Sequence, residues 1–282
     1  MRRSSVSLAF PPFTGAVRTL VIINGAIYFL LLLMQATGRG LLAGELQSWL
    51  ALVPADVLHG RVYELITYGF VHENFSHVFF NMLSLWMFGS MLEQAFGSRK
   101  FLEFYFFGIV GAALGTIAIA YTFGSVLHAY PNRGTIGASG GVYAIFMAVG
   151  MLFGNQEVFL FPLPFRIKLK YMVAILAIIA MASALGEVGG TANVAHLSGL
   201  VFGWVYVKFV PRRGLGFAFS EAYYGIRNGY HRWKRRRAAK KFQVYMRKHQ
   251  HDPKQYFDEY GNFKPPDEKD KPNGGGPGGW VN

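Results

Sequence analysis

The chain has 282 residues, 52% of them apolar and 15% charged, and carries a net charge of +13 from 28 Lys and Arg against 15 Asp and Glu. Apolar residues gathered into long blocks argue against an ordinary soluble domain. The absence of cysteine excludes disulfides, thiolate nucleophiles and cysteine-ligated metals.

Residues 1–16 read as a short basic arm. Six apolar blocks follow, at about 17–37, 72–95, 101–124, 139–155, 170–187 and 193–211. Each approaches the roughly 20 residues needed to cross a hydrocarbon core of about 30 Å. A soluble helical bundle would show amphipathic stripes, whereas VIINGAIYFLLLLM in the first block has no polar face. That block is read as a span and not a signal peptide, because its apolar run is long and five further spans follow. The fold class expected is an all-α membrane protein with a six-span core over residues 17–211.

The cations fix an orientation. Arg2, Arg3 and Arg18 precede the first span, Arg99 and Lys100 separate spans two and three, and Arg166, Lys168 and Lys170 separate spans four and five. The other connections hold only Arg39, Arg61 and Arg133. The positive-inside rule then places both termini in the cytoplasm, as an even number of spans requires.

Residues 38–71 form a long outer connection whose Trp49, Leu50, Leu52, Val53 and Leu58 suit a segment lying in the interface. Residues 212–282 form a basic cytoplasmic tail. From Arg227 to Lys248 it carries ten Lys and Arg and no acid, interleaved with Tyr230, Trp233, Phe242 and Tyr245. A helix held against anionic lipid is expected there, and no recognised motif supports nucleic-acid binding. The closing PPDEKDKPNGGGPGGW has the composition of a disordered segment.

Polar side chains inside spans are costly and usually functional. Span two carries His77, Asn81 and Glu93, span four opens with Ser139, and span six carries Asn193, His196 and Ser198. Spans two, four and six all run inward, so His77, Asn81, Ser139 and His196 fall at similar depth in the outer half of the bilayer. The fourth block from Ser139 to Asn155 is short, about 25 Å of helix. Its helix is therefore expected to begin inside the membrane, with SVLHAYPNRGTIGA descending as irregular chain, which is tolerated only inside protein or beside a wet cavity.

A serine hydroxyl needs a base to become a nucleophile. Ser139 lies in TIGASGGVYAIF, where Gly137, Gly140 and Gly141 allow close backbone approach at a helix N-terminus. His196 in AHLSGLVFG is the candidate base. Gly199 and Gly203 follow on its side of the helix as a small-residue stripe that would let spans four and six pack closely. His77 and Asn81, four residues apart, share one helical face and can donate to one oxyanion, with the Ser139 N–H as a third donor. A metal or haem site built on His72, His77 and His196 is the chemical rival. His72 and His77 stand about 140° apart on a helix, and no carboxylate completes a ligand set at that depth.

These segments resemble the rhomboid intramembrane serine proteases. GASG around Ser139 is similar to the family's nucleophile motif, AHLSGLVFG to its AHxxGxxxG segment, HVFFN to HxxxN with His72 five residues earlier, and GSMLEQAFG to GxxxExxxG. The resemblance covers roughly residues 60–205. It implies a six-helix bundle whose short fourth span starts inside the membrane, a Ser139–His196 dyad, Tyr143 stacked on His196, and an oxyanion hole of His77, Asn81 and the Ser139 N–H. Gly199 would permit the close contact of spans four and six, and Glu93 would anchor the inner half. No cofactor and no metal are implied. Substrates would be single-pass or polytopic membrane proteins whose helices unwind easily near the outer face, and a bacterial inner membrane would be the setting. Many members carry a Trp-Arg pair in the first outer loop; here those positions hold Tyr63 and Glu64. Gly189 and Gly190 are placed to let a cap over the site move. The rivals from other classes are a related pseudoenzyme that binds membrane helices, which would not need both Ser139 and His196, and a transporter, which would show repeated halves with paired broken helices.

Overall fold

The computed structural model describes residues 11–13, 15–159, 166–186, 190–211 and 214–248. Most of the basic arm, Gly189 and the Pro/Gly-rich end of the tail lie outside the described residues. The chain parts into two compact units after Leu215.

The first unit is a bundle of apolar helices at the places where the apolar blocks fall. Helix α1 is Gly15–Ala36, and α5 (Phe75–Ser84) and α6 (Ser90–Phe96) run on from one another through a π turn at Leu85–Gly89. Helix α7 is Ser98–Thr122, α8 is Ser139–Leu152, α9 is Leu169–Leu185 and α10 is Gly190–Phe209. Gly15–Ala36, Phe75–Phe96 and Ser98–Thr122 are long and apolar enough to cross a membrane by themselves, while Ser139–Leu152 and Leu169–Leu185 are shorter apolar helices. The outer connection is mostly helical, as α2 (Gly40–Leu50), α3 (Pro54–Leu58) and α4 (Glu64–Thr67). Leu41, Leu42 and Trp49 are exposed there, as suits a segment bathed in lipid at the interface.

Of the boundaries that differ from the sequence reading, two have a plain local reason. The second span begins at Phe75, not at residue 72, because Asn74 is its N-cap: the side-chain Oδ1 accepts from the His77 N–H at 2.9 Å. His72 therefore lies in the approach to the helix and not on it. The fourth span ends at Leu152 after 14 residues, about 21 Å of helix, shorter than the block from which it was read. Its continuation is a small antiparallel hairpin in which β1 (Glu157–Phe159) pairs with β2 (Arg166–Lys168).

Small residues set how closely the central helices approach. A Cβ on Gly199 of α10 would fall on the Gly140 carbonyl oxygen, one on Gly203 would lie 2.6 Å from the Ala144 carbonyl oxygen, and one on Gly108 of α7 would lie 2.7 Å from Ala144 Cβ. Helices α7, α8 and α10 thus meet nearly backbone to backbone, the geometry by which helices gain dispersion contacts in lipid. Two carboxylates, Glu93 buried and Glu103 half-buried, tie helix ends. Glu93 accepts from the Ala16 N–H at 2.6 Å and the Val17 N–H at 3.1 Å, so a negative group sits at the N-terminus of α1. Glu103 accepts from the Tyr206 hydroxyl at 2.7 Å and the Leu215 N–H at 2.6 Å, fixing the exit of the last span.

The second unit continues as the long helix α11, Leu215–Lys248. Tyr223, Ile226, Tyr230 and Trp233 recur at helical spacing and are exposed. Tyr230 and Trp233 pack ring to ring at 6.1 Å, and the Arg237 guanidinium lies 5.3 Å over the Trp233 ring.

Candidate active site

Helix α8 starts at Ser139 itself, so the hydroxyl stands in the first turn, where backbone N–H groups have no partner within the helix. The chain reaches that point through turns and a single bridge pairing Leu52 with Thr135. Gly137 makes the last bend. Its φ of +121° belongs to a region that side chains avoid. Its N–H donates to the Tyr68 carbonyl at 2.8 Å, and the Tyr68 hydroxyl donates to the Ile109 carbonyl at 2.8 Å. The Ala138 N–H next donates to His72 Nε2 at 3.3 Å. The approach to Ser139 is therefore held at three successive points by buried groups.

His196 on α10 reaches the same place from the other side. Its Nε2 lies 2.8 Å from Ser139 Oγ, a hydrogen-bond distance between a hydroxyl and an imidazole. Tyr143, one turn after the serine, stacks on the imidazole with centroids 4.2 Å apart and ring planes 1° from parallel. The stack restricts rotation of the imidazole, and the Gly199–Gly140 contact one turn further along α10 sets its height against α8.

His77 and Asn81 look in from α5. A Cβ on Gly137 would lie 2.5 Å from His77 Nε2, so a glycine lets that side chain approach this turn, with Asn81 Nδ2 at ordinary contact distance, 3.7 Å. Asn81 is buried, and its Nδ2 has no hydrogen-bond partner among the described residues. A buried donor left unmade costs about 1–3 kcal/mol; Asn24 Oδ1, Tyr105 Oη, Thr191 Oγ1 and Ser198 Oγ are buried and unpartnered likewise. His72 packs edge-on against His77, with centroids 5.0 Å apart. Its Nε2 accepts from the Ala138 N–H, which gives it a place in holding the loop.

These groups border a cavity of about 440 Å³ lined by Ser139, His196, His77, Asn81, Tyr143 and Leu176 among others. A second, more polar cavity of similar size adjoins it, lined by Gln47, Ser48 and Thr135 among others, and the two share Glu73 and His77. The sequence reading did not single out Glu73 or Tyr68. Asn74 was open to it, as a capping residue ahead of an apolar run. Gly190, where α10 begins, packs against the backbone carbonyls of Leu127 and His128.

The sequence description "Rhomboid domain" matches residues 59–213, more than half of the chain. The chain belongs to the rhomboid family. Rhomboid-like protein 19 of Arabidopsis thaliana is 28% identical over 168 residues, which cover 58% of this chain and 54% of that protein. Rhomboid protease GlpG of Haemophilus influenzae is 31% identical over 148 residues, covering 52% of this chain and 68% of its own length. Rhomboid protease AarA of Providencia stuartii is 27% identical over 198 residues, covering 66% and 68%. The chain spans about half the length of the first curated relatives it matches. An integral membrane bundle of helices is thus this chain's fold.

The rhomboid domain departs from the family's usual Trp-Arg pair in its first outer loop, and the structure shows what stands there instead. Glu64 is fully buried and accepts from the Val53 N–H at 2.9 Å and from Arg61 Nη1 at 3.1 Å. Burial raises its carboxyl above the usual range, and those two donors oppose the shift. Arg61 also pairs with Asp56, and its guanidinium lies 4.5 Å over the Trp49 ring. A tryptophan and an arginine are therefore paired in this loop after all, from positions twelve residues apart in sequence.

Proposed function

We propose that this rhomboid is an intramembrane serine endopeptidase that cleaves peptide bonds in or near the transmembrane helices of other membrane proteins. The observation that carries the reading is the 2.8 Å separation of Ser139 Oγ and His196 Nε2 in a cavity that His77 and Asn81 also line. Ser139 Oγ attacks the scissile carbonyl while His196 Nε2 takes its proton. The carbonyl oxygen becomes an oxyanion that receives hydrogen bonds from the Ser139 N–H, His77 Nε2 and Asn81 Nδ2. Collapse of this intermediate breaks the C–N bond, His196 returns its proton to the leaving amine, and an ester to Ser139 remains. Water then attacks the ester with His196 again as base. Tyr143 holds the imidazole in line for both transfers, and His72 supports the turn that presents Ser139.

The cations between spans support a cell-membrane setting, an inner membrane in a bacterium, with six spans, both termini in the cytoplasm and the active site open to the outer side. A regular helix shields its carbonyls, so substrates carry helix-weakening residues near that face, where each glycine costs a helix about 1 kcal/mol. In proteoliposomes, a single-span substrate with two glycines near its outer end is expected to be cleaved about tenfold faster than an all-leucine counterpart. Failure of the folded protein to cleave either would contradict the reading and favour a helix-binding pseudoenzyme.

Helix α11 adds a second partner, the anionic lipid surface. Ten Lys and Arg between residues 227 and 248 attract such a surface at about 1 kcal/mol each, and the exposed stripe of Tyr223, Ile226, Tyr230 and Trp233 supplies an interfacial face. Amide exchange of the full chain in nanodiscs checks this. Residues 223–245 are expected to exchange more slowly in anionic than in zwitterionic discs, with the difference removed by salt. Equal exchange in both would contradict it.

A further inference from the structure

Glu73 occupies an unusual place for a charge. It stands between His72 and the Asn74 cap of α5, is exposed, and with His77 lines both cavities. Neither cavity has a Lys or Arg among its lining residues. Among the described residues Glu73 makes no ion pair; both ion pairs that are made belong to Arg61, with Asp56 and Glu64. A carboxylate with no Lys or Arg beside it, exposed at the edge of two cavities, leaves a negative potential there.

We infer that Glu73 is a specificity-determining residue, selecting substrates that place a Lys or Arg beside it, near the scissile bond, and rejecting those that place an Asp or Glu there. The inference rests on the protease reading above. A chain lying across the site passes from the cavity holding Ser139 and His196 to the one lined by Gln47, Ser48 and Thr135, and Glu73 is the one carboxyl side chain that both cavities share. Attraction and repulsion between unit charges act there through a medium less screening than bulk water. Rejection of the wrong charge is as much a source of selectivity as attraction of the right one.

The test scans a lysine, then a glutamate, through the residues flanking the cut of a single-span substrate, and compares kcat/KM for the two at each position. At one position the wild-type enzyme is expected to favour lysine over glutamate by about tenfold, and raised salt should shrink the ratio. Glu73→Gln should bring the ratio near one whatever its effect on overall rate, and Glu73→Lys should reverse it. The same lysine-to-glutamate ratio in wild type and Glu73→Gln would overturn the inference even if Glu73→Lys failed to fold. Cleavage with no charge preference at any position would likewise overturn it and leave the protease reading standing, whereas no cleavage of any substrate by folded wild type would end both.

Discussion

Ser139→Ala and His196→Ala are each expected to lower kcat/KM for a membrane substrate by about 10⁴-fold or more, and the double variant should fall no further. The expectation follows from how the two groups are placed. A serine hydroxyl at its ordinary acidity is a weak nucleophile, and its activation depends on a base within hydrogen-bond reach. His196 Nε2, at 2.8 Å from Ser139 Oγ, is in that position, and its ring is held by the 4.2 Å stack with Tyr143. Since either loss removes the whole unit, the two effects do not add. Measuring the single and double variants on one substrate, with helicity and thermal unfolding checked for each, separates this account from a structural role. Additive losses, or a single loss of only a few-fold, would contradict it.

The second largest effect is expected at the opposite wall. Asn81→Ala should lower kcat by about 10²–10³, and His77→Ala by a similar factor, with KM little changed. A donor that meets charge only as it develops contributes to the transition state and not to the bound substrate. Asn81 Nδ2 is buried and unpartnered among the described residues, and Gly137 leaves the space through which His77 Nε2 reaches the turn before Ser139. The two variants should differ in stability. Removing the Asn81 side chain takes away a buried unmade donor, whereas removing His77 also takes away its edge-on packing with His72. If KM rose and kcat held, the groups would be substrate-binding residues and the oxyanion role would be wrong.

Much of the fold was legible because a bilayer asks so little of a sequence: an apolar run of sufficient length reads as a membrane helix. The same logic brought Ser139, His196, His77 and Asn81 to one depth, and the Gly199–Gly203 stripe supplied a reason for α10 to lie against α8. The finer parts were hidden for physical reasons. The strands Glu157–Phe159 and Arg166–Lys168 have three residues each, too few for alternation to register as a period. The outer connection showed its apolar residues but not its helices, since α3 and α4 span only five and four residues. The left-handed turn at Gly137 is one glycine among 34, and only the structure distinguishes it from its neighbours. Glu73 carried no signal in sequence, because its significance is a matter of which cavities it borders. The Trp49–Arg61 contact is equally invisible along the chain, since it depends on how α2 and the turn before α4 pack.

The reading turns on whether Ser139 is an activated nucleophile, and covalent labelling asks that without knowledge of any substrate. Detergent-purified protein is treated with a fluorophosphonate probe, beside Ser139→Ala and His196→Ala variants shown to be folded by circular dichroism. Labelling of wild type that is lost in both variants is the expected result. A folded wild type that stays unlabelled by a probe that reacts with an active rhomboid in parallel, or labelling that persists in Ser139→Ala, would contradict it.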